Sequence, residues 1–145
     1  MIRNEKQYRI TRAQVRRFEA ALAELAGQER PSNIAPRLWK AQGQAARCQM
    51  AELREQVEAY ERLQTEHSRV VVLEGVEDLP NALIRARIAA GMTQESLGHR
   101  LGLKPQQMQR YEATGYESAS FARILKVVEA LGLSMPKPVR LVRNV

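Results

Sequence analysis

Apolar residues at Val15, Phe18, Leu22 and Leu25 step by three, four and three, which draws one narrow seam along a helix rather than a broad core face. Thr11 as N-cap, Gln14 completing a capping box and the pair Ile10 and Val15 at the staple positions predict that this helix starts at Thr11. It should run to about Ala26, with Gly27 ending it. After a loop containing Pro31 and Pro36, an uninterrupted stretch rich in Ala, Gln, Glu and Arg predicts a longer helix over roughly 37–66. There Met50, Leu53, Val57 and Tyr60 repeat the same spacing. Neither seam can stand alone in water, so the two helices should fold back as an antiparallel hairpin, extended by a second copy of the chain. Leu38 and Trp39 are expected to plug the end of the hairpin.

The pattern then changes. Val70, Val71, Val72 and Leu73 form a β-favouring run closed by Gly75, which predicts a linker or short edge strand over 68–78. Helical periodicity returns at Pro80 and allows five helices up to Leu131, and the tail LSMPKPVRLVRNV holds another candidate strand. The fold class expected is all-α, with a helical hairpin over 1–67 for dimerisation or partner binding, a linker over 68–78 and a second, five-helix domain with its tail over 79–145. No apolar run approaches the roughly 18 residues that span a bilayer, and MIRNEKQYR lacks a signal-peptide core, so a cytoplasmic location away from membranes is expected. Cys48 is the single cysteine. An internal disulfide or cysteine-based zinc cage is thereby excluded, and Cys48 is expected as a small buried residue.

The segment TQESLGHRLGLKPQQMQRYE carries the sharpest chemistry. Thr93 caps a first short helix over 94–101, with Met92 and Leu97 as its staple. Gly98 falls where that helix would cross the next one, and a side chain larger than alanine would push the two apart. Gly102 supplies a turn needing positive φ. Pro105 opens the second helix, whose wheel puts Met108, Tyr111 and Glu112 inside with Leu97, Leu101 and Leu103. Gln106 and Arg110 point directly away, Ala113 joins them, and Gln107 and Gln109 flank that face. Glutamine offers an acceptor and a donor to an adenine edge, and arginine bonds guanine bidentately, which suits a helix lying in a major groove.

Lys104 sits at the N-cap of that second helix, where Ser or Thr would be worth roughly 1 kcal/mol more and a cation opposes the helix dipole. A nearby phosphate would remove the conflict. Thr93 and Gln94, at the amino end of the preceding helix, are candidate contacts to the DNA backbone, and Ser118 and Ser120 are weaker ones that also suit capping. Charge agrees with this placement. The chain carries a net +7, and from Leu79 onward ten Lys or Arg face four Asp or Glu. Up to Asp78 the balance is thirteen against twelve. A basic polyanion-binding surface therefore belongs to the second half. A smaller basic cluster opens the chain, where Arg12, Arg16 and Arg17 are either a solvated helix face or added contacts to nucleic acid.

These residues resemble the XRE family of helix-turn-helix domains, the five-helix fold shared by the lambdoid phage repressors and Cro, over about 79–131. The resemblance implies a structural pair between an arginine of the first helix and the glutamate ending the recognition helix, here Arg87 and Glu112. The chain departs from the usual pattern in Lys104 at the cap, in Gly98 where alanine is common, and in an extra residue in Glu112-Ala113-Thr114-Gly115. The whole chain, with its amino-terminal helices, is also similar in arrangement to HigA-type antitoxins, which repress their own promoter and bind a toxin.

The function these readings imply is a dimeric regulator of double-stranded DNA, with a toxin protein as the alternative partner of the hairpin. An enzyme is not expected. His67 and His99 stand about thirty residues apart in polar helical surroundings, and no glycine-rich phosphate loop or serine elbow accompanies them. No metal or organic cofactor is expected.

Overall fold

The computed structural model describes residues 1–66, 70–135 and 137. His67 and the candidate strand over 138–145 lie outside the described residues. The chain divides into two compact units, Met1–Ser68 and Arg69–Val145.

The first unit is two helices, α1 (Glu5–Gly27) and α2 (Pro36–Glu66). They run antiparallel, since Tyr8 stacks on Tyr60 at 5.1 Å while Glu19 further along α1 pairs with Arg54 earlier on α2 at 2.5 Å. α1 begins well before the expected Thr11. Asn4 is the N-cap, its side chain accepting from the Gln7 N–H at 2.9 Å, and the Gln7 carboxamide accepts from the Arg3 N–H at 2.8 Å. That reciprocal cap, with Glu5 in the first turn, satisfies the free donors of the helix end, and no glycine or proline follows to stop propagation. Thr11 therefore lies inside the helix and Ile10, expected as a staple, is 51% exposed.

Less exposed positions on α1 fall at Tyr8, Thr11, Val15, Phe18, Leu22 and Leu25, and on α2 along Trp39, Gly43, Ala46, Met50, Leu53, Val57 and Tyr60, with Gln56, Ala59, Glu61 and Leu63 half-buried beside that series. Both series alternate steps of three and four, the spacing that keeps one stripe against a neighbouring helix. Leu38 sits one position off this stripe and is exposed, so only Trp39 takes the sheltered place at that end. Cys48 faces away from the stripe and is exposed, contrary to the buried role expected for it. In the connecting loop, the Arg30 guanidinium donates to the carbonyls of Pro31 (3.2 Å) and Ile34.

In the second unit, residues 70–73 take no regular structure, and a single 3-10 turn, Val76–Asp78, precedes α3 (Leu79–Ala89). α4 (Gln94–Arg100), α5 (Pro105–Ala113) and α6 (Phe121–Ala130) follow. The described residues thus hold six α-helices and no strand, four of the helices in this unit where the periodicity allowed five. Val70 and Val72 remain exposed, and the described residues around them form no strand. Instead, Arg85 on α3 donates to the Val72 carbonyl at 3.0 Å and pairs with Asp78 at 2.8 Å, which fastens the approach to α3. The guanidinium, hydrogen-bonded to the Asp78 carboxylate, holds that carboxyl below the ordinary aspartate range.

α3 is the central helix, with Ala82, Leu83, Ile84, Ala86, Ile88 and Ala89 all buried. Leu83, Ile84, Leu97, Met108 and Val127 are at most 1% exposed and draw the core from all four helices. Each such large side chain contributes roughly 1.5–3 kcal/mol. α4 ends on Gly102, whose φ of +65° lets the Gly102 and Leu103 N–H groups bond back to the His99 and Gly98 carbonyls at 3.1 and 2.8 Å. The same double closure ends α3, α5 and α6, each time with Met92, Tyr116 or Leu133 following the glycine. Tyr116 itself takes φ +61°, a left-handed conformation that costs a non-glycine residue about 1–3 kcal/mol.

Candidate nucleic-acid interface

The two short helices α4 and α5 meet at Gly98. A Cβ built there would lie 3.4 Å from the Leu103 carbonyl oxygen and 3.5 Å from the Met108 Cβ, so the crossing admits one methyl group and nothing longer. Pro105 occupies the first turn of α5, where its missing N–H costs nothing. Lys104 is the N-cap, with extended backbone and no side-chain cap bond, and it is exposed.

α5 is divided sharply into two faces. Met108 and Glu112 are wholly buried and Tyr111 nearly so, while Gln106, Gln109, Arg110 and Ala113 are exposed. Gln107 lies between them, half-buried, its amide donating to the Tyr111 hydroxyl at 3.2 Å. That bond ties up one donor of Gln107 and steadies its side chain beside the exposed face. Leu101 and Leu103 are half-buried at the rim of the core rather than within it.

A polar network behind α5 fixes its angle. Arg87 on α3 forms two bonds to Glu112, at 2.5 and 2.8 Å, and a third to the Met92 carbonyl at 2.7 Å. The Gln94 carboxamide donates to the same glutamate at 2.8 Å. Arg87 and Glu112 are at most 2% exposed and Gln94 is 7% exposed, so a desolvated ion pair holds the start of α4, the end of α3 and the last turn of α5 together. Gln94 was expected at the DNA backbone. Its side chain is turned inward instead, because the buried carboxylate needs a further donor that the pattern of neighbouring residues does not reveal.

Thr93 caps α4 by accepting from the Ser96 N–H at 3.0 Å, and Ser96 returns a bond to the Thr93 carbonyl at 2.9 Å. Thr93 and Ser96 are both exposed at that helix end, where free N–H groups favour anions. Ser120 caps α6, accepting from the Arg123 N–H at 3.2 Å, and Ser118 is exposed in the loop before it. Two further arginines are used within the fold. Arg100 donates to the Ala130 carbonyl and Arg123 to the Leu101 carbonyl, both at 3.3 Å, so each binds a carbonyl at the carboxyl end of the helix that carries the other.

His99 is exposed, and among the described residues no group of three His, Cys, Asp or Glu is placed to hold a metal ion. No described helix is long and apolar enough to cross a membrane. The Tyr116 hydroxyl is buried with no hydrogen-bond partner among the described residues, and its burial pushes the phenol far above its ordinary pKa.

Neither the curated proteins nor the solved structures contain a match to this chain. Residues 83–137, which take in most of α3 and all of α4, α5 and α6, are similar to the helix-turn-helix family, whose model they match.

Proposed function

We propose that the protein is a sequence-specific transcriptional regulator, a repressor that binds a palindromic operator as a dimer. One observation carries this reading. Gln106, Gln109 and Arg110 stand free on the exposed face of α5 while Met108, Tyr111 and Glu112 lock its other face, in a domain that matches helix-turn-helix proteins. In this reading α5 lies in the major groove, and Gln106, Gln107, Gln109 and Arg110 bond base edges. Thr93, Lys104, Ser118 and Ser120 face the phosphates. Lys104 at the N-cap is favourable only when an anion is near it, which a phosphate supplies. Gln94 contributes to this surface through its helix-end backbone rather than its side chain. Selection from a randomised duplex library tests the proposal: an enriched sequence with two inverted half-sites about one helical turn apart is expected, and enrichment of no sequence would overturn it.

A second role is supported by the separate two-helix unit, which lies wholly outside the matched residues 83–137. Such a hairpin suits the neutralisation of a toxin protein, with DNA binding serving to repress the shared operon. Co-expression with a toxic neighbouring gene should relieve its toxicity, and unrelieved toxicity would remove this role.

A further inference from the structure

The two flanks of the α1–α2 hairpin differ in kind. On one flank, Glu19 pairs with Arg54, and Arg12 lies over the Tyr8 ring whose hydroxyl donates to Glu61 at 2.6 Å. Helical spacing puts Gln7, Gln14 and Ala21 of α1 on the opposite flank, together with Gln49, Gln56 and Leu63 of α2. That flank carries no charge. Immediately outside it stand Ile10 and Arg17 on α1 and Glu52 and Ala59 on α2, and Ile10 is 51% exposed. Arg17 and Glu52 form no ion pair among the described residues.

Tyr8 stacks on Tyr60 and bonds Glu61, and counting along the antiparallel helices from that level puts Arg17 beside Glu52 and Ile10 beside Ala59, while Glu19 and Arg54 reach each other from about one turn apart. A second hairpin related by a twofold axis parallel to the helices would lay each α1 antiparallel against the other copy's α2 without changing those levels. Arg17 then meets Glu52 of the second copy and Ile10 meets Ala59, each contact made twice. The charged flank cannot serve as well, because closing it would take already paired side chains out of water. Two helices also shelter their stripe incompletely: Phe18, Leu22, Leu25, Met50 and Leu53 all remain partly accessible.

We infer that the glutamine-rich flank of the hairpin is where two copies of this chain join, as a four-helix bundle with reciprocal Arg17 to Glu52 contacts. This deepens the proposed dimeric regulator by naming its joint, and it is measured without DNA so that either reading can fail alone. Sedimentation equilibrium of the full chain should give a dimer. Arg17→Glu or Glu52→Arg should each raise the dissociation constant at least about tenfold, because like charges then face each other twice. The doubly reversed chain should return to within about threefold of the parent, whereas a merely structural role for either residue would make the two changes add. Ala59→Arg should give monomer with unchanged helix content by circular dichroism, and Arg16→Glu, on the other flank, should leave the dimer intact. A monomeric parent chain, or a dimer indifferent to Arg17→Glu and Ala59→Arg, would overturn the inference.

Discussion

Replacing Glu112 with alanine should cost the second unit more than any other single change near the interface. The carboxylate accepts three hydrogen bonds, two from Arg87 and one from Gln94, at 2.5 to 2.8 Å and without solvent exposure. Its removal leaves a guanidinium buried with the Met92 carbonyl as its remaining acceptor among the bonds described above, and breaking a buried pair in this way costs about 3–5 kcal/mol. At roughly 0.05–0.15 kcal/mol per residue, a unit of this size has a total stability of only about 4–12 kcal/mol. Glu112→Ala should therefore leave it largely unfolded or close to that state. The double change Arg87→Met with Glu112→Leu should be milder, because no charge is stranded; the cost that remains is the loss of partners for Gln94 and Met92, about 1–3 kcal/mol each. Urea titration with hydrogen exchange read on peptides from 79–131 separates this unit from the hairpin. A loss below 1 kcal/mol for Glu112→Ala, or a double variant less stable than the single one, would refute the reasoning.

Gly98→Ala should be neutral or stabilising by up to about 1 kcal/mol, because its Cβ meets neighbours at ordinary contact distance and glycine is costly inside a helix; Gly98→Val should lose about 1–3 kcal/mol in the same titration by overpacking the crossing. Tyr116→Phe should raise the melting temperature, since it removes a buried hydroxyl that no protein group satisfies; a clear fall would contradict this. The Asp78 carboxyl is held below its usual value by Arg85, so its stabilising effect is full above the ordinary aspartate pKa and fades as pH falls through the lowered one. Asp78→Asn should flatten the acid limb of the stability profile of this unit, and an unchanged limb would show that Arg85 gives Asp78 no such effect.

Much of this architecture was legible in the sequence because it follows from periodicity and turn chemistry. The three-four spacing from Val15 to Leu25 and from Met50 to Tyr60 points directly to paired helices, and the glycines at 91, 102, 115 and 132 each follow a helix end. What was not legible depends on competition and on distant partners. Asn4 and Thr11 are both good caps, and Asn4 defines the start because nothing between them interrupts the helix. The valine run at 70–72 has strand propensity but no neighbouring strand among the described residues, and propensity of that kind acts only through a partner. Gln94 is a candidate contact to the DNA backbone because its local position is a helix start; the attachment of its side chain to Glu112, eighteen residues later, is a tertiary fact. Arg100 and Arg123 add to the basic balance in sequence, yet both bind carbonyls at helix ends.

The central claim is that the outer face of α5 reads bases while the residues around it hold phosphates. Its most direct test is the ratio of specific to non-specific affinity for the selected duplex, measured at several salt concentrations for the parent, Arg110→Ala and Lys104→Ala. Arg110→Ala should lose about 1–3 kcal/mol on the selected duplex alone, collapsing the ratio, while Lys104→Ala should weaken both duplexes alike and lower the salt slope by about one. Equal losses on both duplexes for Arg110→Ala, or an unaltered ratio, would contradict the account.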